Sequence, residues 1–242
     1  MKLRVSRTLV AILLCGLATA SHNALAATTT LEYQGATYGF LNGNIYADFN
    51  PKKKGLESQS APAGGFNMLE KSTGQSLIAW CVDVFHALNN KFDYTIGNPN
   101  QLNRYDDLQK LANQRYAQVT DKTTSAAFQL AIWEIVTDTG GGYSLANGTF
   151  KAAGFGNAQA LAGEWLKLDG QNTGNYTISY FYDGILNDKT AAQNLITVSS
   201  VPLPGAAVLM LSALGFAGLM SRRRRVSKPL ESAEYQHSVV SI

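Results

Sequence analysis

Two apolar segments, one near each end of the chain, leave a single stretch of sequence between them that can fold as a compact domain. The first apolar segment covers residues 9–18 and the second covers residues 201–220. Each is flanked by basic residues, which is typical of segments that enter or cross a membrane. The 242-residue chain therefore offers one domain, residues 27–200, long enough to bury a hydrophobic core.

Residues 1–26 predict a secretory signal peptide. A positive region comes first, formed by Lys2, Arg4 and Arg7. The apolar segment 9–18 follows, and Ala24 and Ala26 then provide the small-x-small pattern of a cleavage site. We expect cleavage after Ala26, which would also remove Cys15 with the signal peptide.

The C-terminal segment combines a Pro-rich box, an apolar run and an arginine cluster. The box is Val201, Pro202, Leu203 and Pro204, and the cluster is Arg222, Arg223, Arg224 and Arg225. The run of 20 residues, 201–220, has about the length that a helix needs to span the roughly 30 Å hydrocarbon layer. The arginines would hold residues 226–242 in the cytoplasm as a short tail. These features alone predict one C-terminal transmembrane helix, and a plain membrane anchor is one interpretation.

The order of box, helix and arginine cluster in residues 201–225 resembles the PEP-CTERM sorting signal, in its VPLP variant. The resemblance implies that an exosortase-type membrane enzyme recognises the box. That enzyme would process the protein, anchored in the inner membrane until then, during export to the cell surface or extracellular matrix. Two features depart from the common pattern: Leu203 stands where the family usually has Glu, and residues 226–242 follow the cluster where the family usually ends.

The basic character of the whole chain comes from these terminal segments. The formal charge is +3, which at first favours a nucleic-acid partner. Eight of the 20 basic residues lie in the two termini, so residues 27–200 keep 12 basic against 15 acidic residues, a net charge of −3. We therefore expect no nucleic-acid partner.

The exported domain has the pattern of an α+β fold. Strands are predicted within residues 28–49, 66–71, 75–86, 92–96, 176–182 and 194–198. Helices are predicted at residues 104–119, at 123–136 with the hydroxyls of Thr123, Thr124 and Ser125 as N-caps, and at 158–168. Because strands flank a helical middle, we expect a β-sheet or sandwich that carries a helical insertion.

Cys81 is the one cysteine left after signal-peptide removal, in a compartment where thiols normally pair or oxidise. One interpretation is a buried, inert thiol that acts as a small hydrophobic side chain. In an extended strand, however, Ile78 and Trp80 share the more apolar face, whereas Cys81 and Asp83 share the other. Burial in the core is therefore a less comfortable explanation for this cysteine.

Gln129 is the second unusual residue. At 100° per residue, Phe128, Ile132 and Trp133 belong to one apolar arc of the second predicted helix, and Gln129 projects within it, whereas Glu134 points the opposite way. A buried amide without partners costs about 1–3 kcal/mol. Gln129 either hydrogen-bonds a main-chain group or is the chemical partner of Cys81.

A buried cysteine and a buried glutamine can form an internal thioester with loss of ammonia. The segments Ala79-Trp80-Cys81-Val82-Asp83 and Ala127-Phe128-Gln129-Leu130-Ala131-Ile132-Trp133 resemble the cysteine strand and the glutamine helix of bacterial surface thioester domains. The resemblance covers roughly residues 75–170, and Phe128 stands where that family often has Thr. It implies a covalent adhesion role: the Cys81–Gln129 bond would be opened by a surface amine or hydroxyl of a partner, and Phe128 and Trp133 would shield it from water.

Two other functions remain open. A non-covalent module that binds matrix or glycan would keep Cys81 as a buried free thiol. A cysteine hydrolase built from Cys81, Asp83 and His86 is the enzyme alternative. Residues 81 and 86 are an odd number apart, so a regular strand would send them to opposite faces, which argues against the hydrolase. With one histidine left in the domain, we expect no metal site and no cofactor, and we favour a protein that is not an enzyme.

Overall fold

The computed structural model of the protein describes residues 27–50, 52–170, 174–183 and 191–201. The predicted α+β class is confirmed, since these residues contain both strands and helices, with sheet predominating. The predicted signal peptide and the residues after Val201 lie outside the described ranges. None of the helices within those ranges has the length and apolar character that crossing a bilayer requires.

Nine strands and three α-helices make up the described part of the fold. The strands are β1 (Thr28–Ala36), β2 (Leu41–Ala47), β3 (Glu57–Ala63), β4 (Phe66–Glu70), β5 (Gln75–Cys81), β6 (Lys91–Gly97), β7 (Lys151–Ala153), β8 (Tyr176–Tyr182) and β9 (Leu195–Ser200). The helices are α1 (Tyr105–Arg115), α2 (Lys122–Thr137) and α3 (Asn157–Trp165), with short 3-10 turns at Pro99–Gln101 and Tyr116–Gln118.

Six antiparallel strands close into a barrel in the order β1-β4-β5-β9-β8-β6. The larger sheet is thus a closed barrel, which leaves no unpaired edge in that sheet. All three helices lie between β6 and β8 in the chain, which is where the helical insertion is predicted.

A second sheet of three strands has the order β3-β2-β7. The sequence pattern did not predict β3 or β7 as separate strands. β3 carries Pro62, which is tolerated because β3 is an edge strand of this sheet. Gly43 of β2 is required by close packing, because a Cβ there would lie 2.6 Å from the ring of Phe155.

Helix α2 begins two to four residues earlier than the hydroxyl caps would place it. Its N-cap is Asp121, whose Oδ1 accepts hydrogen bonds from the main-chain N–H groups of Thr123 and Thr124. Thr124 Oγ1 accepts in turn from the main-chain N–H of Asp121, which completes a capping box. The expectation that Thr123, Thr124 and Ser125 are N-caps was therefore wrong, because the Asp121 carboxylate, two residues before Thr123, caps the helix instead.

The predicted strand at residues 75–86 is too long, since β5 ends at Cys81. Asp83 explains the end: its Oδ1 accepts from the main-chain N–H of Phe85 at 2.9 Å, and its Oδ2 contacts Nδ1 of His86. Such side-chain bonds to nearby groups compete with a strand ladder. The chain after Cys81 therefore turns, and the alternation rule does not apply to His86.

Both faces of β5 are buried where the strand ends. Ala79, Trp80 and Cys81 have no exposed surface. The Trp80 ring packs on Phe128 of α2 at 4.8 Å between centroids, so the opposite face, which carries Cys81, turns toward the barrel interior. The expectation that core burial suits Cys81 poorly was wrong, because a closed barrel covered by a helix buries both faces of one strand.

Candidate functional site at Cys81 and Gln129

The structure brings Cys81 and Gln129 together although 48 residues separate them in the chain. Gln129 Oε1 accepts a hydrogen bond from the main-chain N–H of Cys81 at 3.0 Å, and its Nε2 donates to the main-chain carbonyl of Cys81 at 2.7 Å. Both residues have no exposed surface. The carboxamide is thus held in a dry site by the two main-chain groups that flank the Cα of the cysteine.

The Cys81 sulfur is held by the turn that follows β5. Its thiol donates to the main-chain carbonyl of Asp83 at 3.0 Å and accepts from the main-chain N–H of Asp83 at 3.3 Å. Burial raises the pKa of the Cys81 thiol to about 12, an effect that the nearby Trp133 indole and the Asp83 main chain only partly offset. The thiol is therefore neutral in the folded protein at ordinary pH.

The two aromatic residues expected to shield a thioester occupy different surroundings. Trp133, 4% exposed, lies beside the Cys81 thiol. Phe128, 1% exposed, packs instead in an aromatic cluster, with ring centroids 4.8 Å from Trp80 and 5.5 Å from Tyr116. Trp133 is thus the ring next to the sulfur, whereas Phe128 fastens α2 to the barrel.

A cavity of about 250 Å³ reaches this region from the side of the three-stranded sheet. Its walls are mainly apolar, with Ile45, Phe66, Val84, Leu88 and Trp133 among them. The polar residues of the lining are Gln59, Ser60, His86 and Gln193. Trp133 therefore borders the cavity and also lies beside the Cys81 sulfur.

His86 and Asp83 form a contact that the sequence pattern did not predict. Nδ1 of His86 lies 2.5 Å from Oδ2 of Asp83, and both side chains are largely buried. Within the described ranges, His86 makes no hydrogen bond to the Cys81 sulfur, which is bonded to the Asp83 main chain instead. A hydrolase needs an activated thiolate, and the raised pKa of Cys81 opposes one.

A second buried polar cluster was not predicted from the sequence. It consists of Glu134 in α2 and Asp138, the C-cap residue of that helix. The helical pattern places these residues opposite the apolar arc, yet they are 0% and 1% exposed. Glu134 Oε1 accepts from the main-chain N–H of Ser144 at 2.6 Å, and Asp138 Oδ1 accepts from the main-chain N–H of Thr149 at 2.6 Å. The two carboxylates thus fasten the segment that follows α2.

The sorting residues lie almost entirely outside the described part of the chain. Val201 alone is described: it is 44% exposed, and its main-chain N–H donates to the carbonyl of Asn175 at 2.9 Å. The structure does not describe the other residues of the box, Pro202, Leu203 and Pro204, or the arginine cluster 222–225. It also does not describe the predicted cleavage residues Ala24 and Ala26. Among the described residues, no group of three or more His, Cys, Asp or Glu side chains is arranged to hold a metal ion.

Comparison with known proteins identifies no family for this chain. No family model matches it, no curated protein matches it, and no solved structure matches it.

Proposed function

We propose that this chain is an exported surface or extracellular-matrix protein whose domain carries an internal thioester between Cys81 Sγ and Gln129 Cδ. The observation that carries the proposal is the buried carboxamide of Gln129, held at both ends by the main chain of the cysteine. A glutamine fixed in this way has its reactive carbon next to the residue that supplies the sulfur.

The hydrogen bond from the Cys81 N–H to Gln129 Oε1 supports the reaction chemically. When Sγ attacks Cδ, negative charge develops on Oε1, and a fixed main-chain N–H stabilises that charge. The C–S bond forms and the C–N bond breaks, and the thiol proton leaves with the Gln129 nitrogen as ammonia. The product is a neutral acyl–sulfur bond in a site that excludes water.

The proposed biological role is adhesion by covalent attachment. A surface amine or hydroxyl of a partner would attack Cδ of Gln129 and take over the acyl group, releasing the Cys81 thiol. The proposed route to the surface is the PEP-CTERM-like signal in residues 201–225, read by an exosortase-type enzyme after the signal peptide has directed export.

Intact mass of protein purified from cells that express the full chain tests the thioester. We expect a mass lower by one ammonia than the sequence of the processed chain requires. Cys81→Ala and Gln129→Glu should each carry their full sequence mass, because either change removes one partner of the bond. Processing at the termini affects all three proteins equally, so it does not obscure the comparison.

The non-covalent alternative is supported by the same hydrogen bonds, because they already satisfy the Gln129 amide and the Cys81 thiol. In that case the protein is a matrix- or glycan-binding module with a buried free thiol. Full sequence mass in freshly purified wild-type protein, together with a thiol that is labelled once the protein is unfolded, would reject the thioester and favour this alternative.

Truncation after Ser200 tests the sorting proposal. The truncated protein should be exported but no longer retained at the surface or in the matrix, because it lacks the box, the apolar run and the arginine cluster. Immunodetection on intact cells, compared with the full chain, gives the readout. Equal surface labelling of both proteins would rule out the C-terminal segment as the determinant.

A further inference from the structure

The cavity of about 250 Å³ beside Trp133 has the features of an entry site for the group that opens the thioester. Its volume corresponds to about eight water molecules at ~30 Å³ each, enough for one extended alkyl chain. The described residues that line it include no charged carboxylate or ammonium group, and His86 is the titratable side chain among them. Trp133 lines this cavity and lies beside the Cys81 sulfur, so one ring stands between the cavity and the proposed bond.

His86 is held firmly in the wall of the cavity. Its Nδ1 contacts Oδ2 of Asp83 at 2.5 Å, which leaves Nε2 as the ring nitrogen available for another group. Gln193 Nε2 donates to the main-chain carbonyls of Asp83 at 3.1 Å and His86 at 3.0 Å, which fixes the turn that carries the imidazole. The turn starts at the Cys81 sulfur, so one short segment positions both groups.

Gln193 adds an unpaired acceptor to the same wall. Its side chain is 9% exposed, and its Oε1 is buried without a hydrogen-bond partner among the described residues. A buried amide oxygen in this state destabilises the folded protein until a donor reaches it. An entering N–H group is such a donor, and the apolar walls suit an alkyl stem behind it.

We propose that His86, oriented by Asp83, is the catalytic base for opening of the thioester by a primary amine on an unbranched alkyl chain that enters this cavity. This inference rests on the proposed Cys81–Gln129 thioester.

The step balances without a further reactant. The amine nitrogen attacks Cδ of Gln129, a C–N bond forms and the C–S bond breaks. His86 Nε2 takes a proton from the attacking nitrogen and passes it to the departing sulfur, so the products are an amide and the Cys81 thiol. Burial raises the pKa of that thiol to about 12, and a sulfur of this basicity leaves poorly without a proton.

Among the described residues, few titratable groups lie near the imidazole. Asp83 contacts it from the same turn, the Cys81 thiol lies at the start of that turn, and Tyr180 of β8 interacts electrostatically with Asp83. A change in rate on replacing His86 is therefore expected to reflect the loss of the imidazole itself.

The test uses the full chain and n-butylamine as the probe, with glycerol as the polyol comparison. Intact mass first establishes the loss of one ammonia in wild type, His86→Gln and the control Lys167→Gln, whose residue does not line the cavity. The rate of butylamine addition is then followed between pH 5 and 8, where histidines change charge. We expect butylamine to add and glycerol not to, and His86→Gln to react at least about 100-fold more slowly near pH 8.

The ratio of the wild-type rate to the His86→Gln rate cancels the ionisation of the probe amine. We expect this ratio to be at least about 100 near pH 8, and the ratio for Lys167→Gln to stay near one. Asp83→Asn keeps an oxygen for the Phe85 N–H but removes the charge behind the imidazole, so its rate of butylamine addition should lie between those of wild type and His86→Gln. If His86→Gln does not form the thioester, the rate of Asp83→Asn decides the role of His86. A ratio near one at every pH in a variant that retains the thioester overturns the role of His86, whereas full sequence mass in the wild type overturns the thioester and this inference together.

Discussion

Replacing Trp80 by alanine is expected to lower the free energy of unfolding by about 3–5 kcal/mol. Trp80 has no exposed surface, and its ring packs on Phe128 of α2 at 4.8 Å and on Tyr116 at 6.3 Å between centroids. The substitution removes the largest side chain that joins the outside of the barrel to the helices, and it leaves a cavity in place of an aromatic cluster. Guanidinium denaturation, followed by tryptophan fluorescence and circular dichroism, measures the loss.

Tyr38→Ala is the matched control, because Tyr38 is an aromatic residue with 38% of its surface exposed. Its loss should cost less than about 1 kcal/mol. If Trp80→Ala were no more costly than this control, the barrel and α2 would not share one cooperative core, and the rigid placement of Gln129 against Cys81 would lose its structural basis.

The sequence predicted the strands that carry regular apolar patterns and missed those that do not. β1, β4, β6, β8 and β9 lie within or close to their predicted segments, because β-branched and aromatic residues mark them. β3 contains Pro62 and mostly small or polar residues, and it exists because β2 pairs with it along seven positions. β7 has only three residues, too few for any pattern to be detected. Closure of the barrel depends on the pairing of β1 with β6, a tertiary contact that no local pattern encodes.

The turn after Cys81 shows how one side chain can end an otherwise strong strand pattern. Alternating apolar residues continue to residue 85, so periodicity alone extends the strand. Asp83 redirects the chain by bonding Phe85 and His86, and this brings the only histidine of the described residues into the cavity wall. The strand-alternation argument about His86 was wrong for this reason. The proximity of Cys81 and Gln129, in contrast, could be predicted from the sequence, because each residue stood out from the pattern of its own strand or helix.

The burial of Glu134 was not predicted, because a helical wheel assumes that one face of a helix is exposed to solvent. Eleven consecutive residues of α2, 125–135, are buried, since the barrel, the small sheet and α3 surround the helix. The polar side of the helical wheel is therefore buried as well, and it carries the Glu134 carboxylate. Glu134 Oε1 accepts from Ser144, while Oε2 has no hydrogen-bond partner among the described residues.

This environment predicts that Glu134 destabilises the folded protein as pH rises. Burial raises the pKa of Glu134 from 4.5 to about 7, with the neighbouring Asp138 carboxylate adding to the effect and the Ser144 N–H opposing it. Below about pH 4.5 the side chain is protonated in both the folded and unfolded states, so its contribution is fully favourable there. As pH rises toward 7 and above, the unfolded state ionises more readily, and up to roughly 3 kcal/mol of stability is lost.

Glu134→Gln removes this ionisation while keeping an oxygen for the Ser144 N–H and adding a donor that faces Asp138. We expect the variant to match wild type near pH 4.5 and to exceed its free energy of unfolding by up to roughly 3 kcal/mol near pH 8. Urea denaturation at a series of pH values gives the difference between the two curves, which cancels the titration of all other groups. Glu164→Gln, which alters an exposed glutamate paired with Lys167, should leave that difference flat. Parallel curves for Glu134→Gln and wild type would mean that Glu134 is ionised in the folded state at ordinary carboxylate pH, and that a cation or ordered water compensates its unpaired oxygen.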